Sequence, residues 1–254
     1  MSRKGEDDFY VGYMKTAPAA LGAVMRKWVV LMIIITAIVA TAISLSQKPF
    51  RTGVFEFGTV DAYLGIVRLD PVPVAMANKR WADVSFDEKP YYLLVNQGKF
   101  GAAALFEGMD GACVSFDATR IYRDGQQMLE VVPGSVVKDG ASFTDDALTR
   151  VIGQHTFRGE IVDSKCYLGV MNPGNLKTHK ACAIRCISGG VPPVLVVRDI
   201  DDDVRYLILI GPNGEAMNEH VLDKIAEPVE ISGTVEERGG FFYLRAGPDA
   251  IKRM

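Results

Sequence analysis

From Trp28 to Leu45 the chain runs WVVLMIIITAIVATAISL, without a charged residue. A helix needs about 18 to 20 such residues to cross a hydrocarbon core. The run is apolar all round, which excludes the amphipathic helix of a soluble core, because that would carry a polar stripe. It divides the chain into a tail, 1–27, a transmembrane helix, 28–45, and a long remainder that must hold the folded structure. Arg26 and Lys27 stand directly before it, with Arg3, Lys4 and Lys15 further upstream, while only Lys48 and Arg51 follow closely. The positive-inside rule then predicts a single pass through the inner (cytoplasmic) membrane, with a cytoplasmic N-terminus and periplasmic or extracellular domains. A cleaved signal peptide is the rival reading, since Ala40-Thr41-Ala42 has the small-x-small form of a cleavage site. The long preceding tail with Glu6, Asp7 and Asp8 favours a retained signal anchor. Phe9, Tyr10 and Tyr13 in that tail are placed to lie at a bilayer interface.

The remainder repeats itself. Tyr91-Tyr92-Leu93-Leu94-Val95 lies over Tyr206-Leu207-Ile208-Leu209-Ile210, and the same step sets Val114 on Val229, Phe116 on Ile231, Gly125 on Gly240 and Leu129 on Leu244 without a gap. Upstream, GTVDAYLG from Gly58 echoes GEIVDSKCYLG from Gly159. Ungapped self-similarity over such a span indicates a duplicated unit.

Each copy shows period-2 apolar patches bounded by turn residues. A first strand (Val54 to Leu64, or Thr156 to Asp163) is followed by a loop, a second strand and the aligned apolar third strand. A helix-length segment comes next, Lys99 to Met109 or Glu215 to Ile225, and then two strands joined at Asp124-Gly125 or Gly239-Gly240. Three strands, a helix and two strands resemble the OB-fold, a five-stranded Greek-key barrel. The expected fold is mainly β: two tandem OB-fold-like barrels, each with one helix, behind one transmembrane helix. Their bounds are 54–136 and 154–254, with 137–153 as linker. The layout is similar to that of the membrane-anchored haem chaperones of cytochrome c maturation. Their His-x-x-x-Tyr attachment motif is absent from this sequence, so their activity is not carried over.

Chemistry concentrates in a helical insert, 166–190, placed between the first two strands of the second copy, where OB-folds often contact ligands. The first copy carries PVPVAMANKRWADVSFDEKP at the corresponding place. Three of the four cysteines and one of the three histidines lie in the insert. Thr178 is placed to cap a helix from His179 to Ile187 that Gly189-Gly190 ends, so that His179, Cys182 and Cys186 stack on one face, with Cys166 in the preceding loop. Three roles follow. An exported domain sits in an oxidising compartment, so Cys166 paired with Cys182 or Cys186 would be a disulfide staple. Cys166, His179, Cys182 and Cys186 also make a ligand set for zinc or cuprous copper. A single free cysteine beside His179 and Lys165 would instead be a redox thiol. The distances between the sulfurs decide among these.

Elsewhere the sequence holds no G-x-S-x-G elbow, phosphate loop or His-Glu-x-x-His pair, which argues against an enzyme. A formal charge of -3 and the lack of a basic face argue against nucleic acid as partner. Cys113 reads as a small buried residue, His155 and His220 as surface residues, and Asp199 with Asp201 to Asp203 as a solvated turn. The expectation is a membrane-anchored, non-catalytic accessory subunit that needs no cofactor and recognises a membrane or envelope protein complex. The alternative is a metal- or haem-handling protein built on the insert.

Overall fold

The computed structural model describes residues 18–46, 52–79, 90–140, 148–198 and 203–254. The tail aromatics, the flanking cations Arg3, Lys4, Lys15, Lys48 and Arg51, and aspartates 199, 201 and 202 lie outside them. The chain forms two compact units, Met1–Phe50 and Arg51–Met254.

The first unit holds α1 (Ala19–Ser46), which starts earlier than the uncharged run because Ala and Gly continue it backwards. Its most apolar 18-residue stretch has a mean hydropathy of 2.6, and none of the helix is buried against protein. At about 1.5 Å per residue it outreaches a hydrocarbon core of about 30 Å. The chain therefore carries one N-terminal helix long and apolar enough to span a membrane.

The second unit is two closed five-stranded barrels. In the first, after the short β1 (Val54–Phe55), strands β2 (Asp61–Arg68), β3 (Val74–Lys79) and β4 (Tyr91–Asn96) form an antiparallel meander. Strand β5 (Cys113–Arg123) pairs with β2, and β6 (Gln126–Val131) closes the ring by pairing antiparallel with β5 and parallel with β4. Strands β1 and β7 (Val137–Lys138) add to β5 outside the ring. The second barrel repeats the plan with β8 (Arg150–Asp163), β9 (Pro193–Arg198), β10 (Val204–Ile210), β11 (Pro228–Arg238) and β12 (Phe241–Arg245), and β13 (Ile251–Arg253) pairs with β11. This is the strand order of an OB-fold, including its one parallel contact.

The duplication extends to the hydrogen-bonding register. The pair Leu93–Met128 of β4 and β6 becomes Ile208–Tyr243 of β10 and β12 on adding 115 to each number, and Arg120–Leu129 becomes Val235–Leu244 in the same way. The isolated bridge Val95–Gly101 likewise becomes Ile210–Ala216. The hairpin turns Asp124-Gly125 and Gly239-Gly240 share positive φ at both residues, the geometry of a tight two-residue turn.

The upstream echo is in a different register. Gly65, not Gly58, is the counterpart of Gly159: Gly65 pairs with Val114 as Gly159 pairs with Val229. A Cβ on Gly65 would fall 2.1 Å from the Met76 carbonyl oxygen, and one on Gly159 would fall 2.3 Å from that of Val196. Both glycines let the long first strand cross its neighbour at a distance no side chain permits. Gly58 sits in the turn between β1 and β2.

Strand β3 also lies within the Pro-rich stretch read as a loop, so the true counterpart of the insert is only residues 69–73. Each barrel has helix where it was expected, as a short 3-10 segment, Ala103–Phe106 and Glu219–Lys224. Gly98, Gly101 and Gly108 deny the first a longer run, and Phe106 plugs the barrel end. Both ends of the expected linker are strand, in β7 and in the start of β8.

The first barrel is filled by an aromatic group, Tyr63, Phe106 and Phe116, with centroids 5.6 to 5.9 Å apart. The second is filled by aliphatic residues, including Leu207, Leu209, Ile231 and Leu244. A third cluster joins the barrels: Val72, Leu93, Ile121 and Met128 of the first meet Cys166, Tyr167, Val194, Tyr206 and Ile208 of the second. The insert is therefore packed into the joint between them.

Candidate metal centre

Strand β8 ends at Asp163, which is fully buried. Its Oδ1 accepts the backbone N–H of Cys166 at 2.8 Å and so caps the turn that follows, a π segment Cys166–Val170. The chain returns through a 3-10 turn, Lys177–His179, into α2 (Lys180–Ser188). Thr178 does not cap α2; its hydroxyl faces the Asn175 carbonyl at 3.5 Å, and the 3-10 turn leads into the helix instead. Gly189 and Gly190 end it as expected, with their N–H groups on the carbonyls of Arg185, Cys186 and Ile187. Gly189 also permits contact with the other barrel, because a Cβ there would fall 2.0 Å from the Lys99 carbonyl oxygen.

This path brings the four expected residues together. Cys166 Sγ lies 4.0 Å from Cys182 Sγ and 3.9 Å from Cys186 Sγ. The ligand atoms of Cys166, His179 and Cys182 lie within 4.8 Å of one another, as do those of Asp163, Cys166 and Cys186. The two triads share Cys166. Cys166, Cys186 and His179 are buried, and Cys182 is half-buried.

The disulfide staple is not present: all four cysteines are free, and the shortest of these separations is 3.9 Å, against about 2.05 Å for a bonded pair. Cys166 stands between two helix cysteines one turn apart at almost equal distance, so no one partner is selected. Those separations suit a shared ion instead. Two sulfurs each about 2.3 Å from one metal are about 3.8 Å apart at a tetrahedral angle and about 4.0 Å at a trigonal one.

Asp163 also organises the nitrogen ligand. Its Oδ2 stands 3.0 Å from His179 Nε2. A carboxylate only accepts, so a neutral imidazole there donates from Nε2 and has its lone pair on Nδ1, the carboxylate–histidine arrangement of many zinc sites. Cys166 and Cys186 are hydrogen-bonded through their sulfurs at 3.9 Å. The hydrogen bond to Cys186, together with burial, pushes the Cys166 thiol above its ordinary pKa, and the same bond holds the Cys186 thiol below it.

The cation at the sulfurs is Lys99 of the first barrel, whose Nζ donates to Cys182 Sγ at 2.7 Å. That bond is the main reason the Lys99 ammonium holds its proton above its ordinary range. Lys165, the cation expected beside the thiols, has its ammonium on the carbonyls of Asn96 and Gly98, at 2.8 and 2.7 Å, and on the Glu130 carboxylate. It binds the insert to the first barrel. Arg123 does the same, donating to the Tyr167 carbonyl at 2.7 Å with its guanidinium 4.4 Å above the Tyr167 ring.

Asp163 and Lys99 were missed by sequence reasoning. An acidic residue three positions before a cysteine is a recognisable capping signal, whereas nothing local marks Lys99, 83 residues from its partner. Cys113 is buried in β5 and His155 and His220 are exposed, all outside the cluster. A groove of about 700 Å³ runs beside the insert, bounded by Arg158, Glu160, Leu176, Lys177, Arg198 and Met254. Glu160 is half-buried there and accepts the Leu176 N–H at 2.5 Å; burial raises its pKa. Comparison with known protein families and with curated proteins returned no match.

Proposed function

We propose that this is a membrane-anchored, exported metal-handling protein whose second barrel binds a soft cation, zinc(II) or copper(I), at Cys166, His179, Cys182 and Cys186. The carrying observation is the pair of 3.9 and 4.0 Å sulfur separations around Cys166, too long for a bond and right for co-ligands. Thiolate and imidazole donors select soft and borderline ions over magnesium or calcium. The first triad supplies two sulfurs and a nitrogen, and Cys186, whose sulfur lies 3.9 Å from that of Cys166, is the fourth candidate ligand. Loading displaces thiol protons, that of Cys166 above all, whose pKa the hydrogen bond to Cys186 and burial hold up.

The anchor gives the site its compartment. With α1 as a signal anchor and the cations on its N-terminal side, the barrels lie on the periplasmic or extracellular face of the cytoplasmic membrane. The groove beside the insert supports a second role, docking to a membrane or envelope protein complex as a non-catalytic accessory subunit.

The deciding experiment is metal analysis of the full chain, purified from membranes under reducing conditions. One equivalent of zinc or copper should co-purify or load, and X-ray absorption should show sulfur and nitrogen in the first shell. Cys166→Ser should abolish it. A reduced, folded protein that takes up neither ion refutes the reading.

A further inference from the structure

The ligand set is closed on one side and open on the other. Cys166 is 3% exposed, Cys186 1%, His179 4% and the supporting Asp163 0%, whereas Cys182 is half-buried and touched by an exposed lysine. A structural zinc site is closed by all its ligands, and an ion leaves it only when the fold opens. Here one ligand can be replaced while the others stay in place.

The open ligand is also the one that the first barrel attends. Lys99 Nζ sits 2.7 Å from Cys182 Sγ, and an ammonium has no lone pair with which to bind the metal itself. Its segment is held firmly. The preceding turn is fixed by Lys165 through the carbonyls of Asn96 and Gly98, and Gly101 N–H bonds the Gly189 carbonyl at 2.9 Å, just beyond the C-terminus of α2. A positive charge is thereby placed at the exposed side of the cluster.

We propose that Cys182 is an exchange ligand, through which the bound ion passes to or from an incoming anionic sulfur donor, and that Lys99 receives that donor. This rests on the metal-binding reading. In the step, the bond from the ion to Cys182 Sγ breaks as a bond to the incoming thiolate sulfur forms. Cys166 and His179 of the first triad, with Cys186 beside Cys166, hold the ion meanwhile. No electrons are transferred, one thiolate replaces another, and the freed Cys182 thiolate keeps the Lys99 ammonium as its partner. The partner is thus a thiol-bearing molecule with negative charge beside its sulfur, and neutral thiols are served less well. Two unit charges about 4 Å apart in water attract enough to change a rate about fivefold.

The test uses the full chain in detergent, loaded with cobalt(II) as a visible surrogate for zinc and followed by its sulfur-to-metal charge-transfer absorption. Transfer to dimercaptosuccinate, an anionic dithiol, and to dithiothreitol, a neutral one, is timed over a range of acceptor concentrations. The expected rate is proportional to acceptor concentration. Lys99→Gln should slow transfer to dimercaptosuccinate about fivefold more than transfer to dithiothreitol. Cys182→Ser should make the remaining metal leave at a rate set by the acceptor-independent step. Rates independent of acceptor in the unaltered protein, or a Lys99→Gln effect equal for both dithiols, would overturn the exchange role while leaving the metal site intact. Failure to take up cobalt or zinc at all would instead refute the binding reading. Lys99 is exposed, so its variant can be checked for an unchanged circular dichroism spectrum and an unchanged thermal midpoint.

Discussion

Replacing Asp163 by Asn tests whether the buried carboxylate exists to prepare His179. In the native protein Oδ1 accepts from the Cys166 N–H at 2.8 Å and Oδ2 faces His179 Nε2 at 3.0 Å. Asn keeps the shape but has one acceptor where two are needed. If its oxygen stays on Cys166, the amide N–H₂ meets the imidazole Nε2, which then becomes the acceptor and moves the ring proton to Nδ1, so that a neutral ring has no lone pair left for the proposed ion. If the amide flips, the turn that carries Cys166 loses its cap. Either way a buried donor with a charged partner loses it, at about 1.5 to 3 kcal/mol. Loss of a partner behind a metal-binding histidine typically weakens metal affinity about 10- to 100-fold.

The assay is competition for zinc against a chromophoric chelator, on protein whose metal-free thermal midpoint is measured in parallel. Asp163→Asn should weaken zinc binding within that 10- to 100-fold range. The decisive measurement is a double-mutant cycle with His179→Ala. Because Asp163 acts through the ring, its substitution in the His179→Ala background should cost less than about threefold. An Asp163→Asn effect of the same size with and without His179 would refute the reasoning, since the carboxylate would then be acting on the fold or on Cys166 alone.

Three other outcomes are expected. Lys165→Met removes a buried ammonium that meets the Asn96 and Gly98 carbonyls and leaves the half-buried Glu130 carboxylate without its partner, and should lower unfolding stability by about 3 to 5 kcal/mol in urea titration. Gly65→Ala and Gly159→Ala place a methyl 2.1 and 2.3 Å from strand carbonyls and should each cost about 1 to 3 kcal/mol by thermal unfolding; Gly58→Ala meets no such carbonyl and should cost only the backbone strain of its positive φ, about 1 to 2 kcal/mol. Zinc affinity should rise with pH: the Cys166 thiol, held above its ordinary pKa, remains protonated through neutrality and must lose that proton on loading. Each displaced proton gives about a tenfold gain per pH unit, so an affinity flat between about pH 6 and 8 would contradict a thiolate site.

Local patterns carried most of what the sequence revealed. The apolar run, the hairpin turns and the ungapped offset are each readable from a few neighbouring residues, and the barrels follow from their order. The spacing of His179, Cys182 and Cys186 was enough to put them on one helical face because a helix converts sequence interval directly into position. The rest depended on contacts between distant segments. The echo at Gly58 is a similarity of composition, whereas the register is fixed by which glycine lies under a crossing carbonyl, and only pairing with β3 shows that to be Gly65. Lys165, beside Cys166 in sequence, points its charge the other way because three acceptors of the first barrel are nearer than any sulfur. The helix-length segments are short 3-10 turns, each burying one residue, Phe106 or Val221, and helix-breaking glycines shorten the first.

The repeated strand plan also bears on why the proposed site draws on both barrels. The first strand of one copy maps on the other by 94 residues, Gly65 to Gly159, and the second by 120, Met76 to Val196, so 26 residues were added between them in the second copy alone. An added loop of that length has too little apolar surface to fold by itself. It gains its order by packing into the joint, where Cys166, Tyr167 and Leu168 share a core with residues of both barrels. The face that received it belongs partly to the first copy, whose β4 turn supplies Asn96, Gly98 and Lys99. The segment that carries the ligands and the surface that orders them thus come from different copies. A second barrel expressed alone would keep all four ligands and lose both the lysine at Cys182 and the acceptors that hold Lys165.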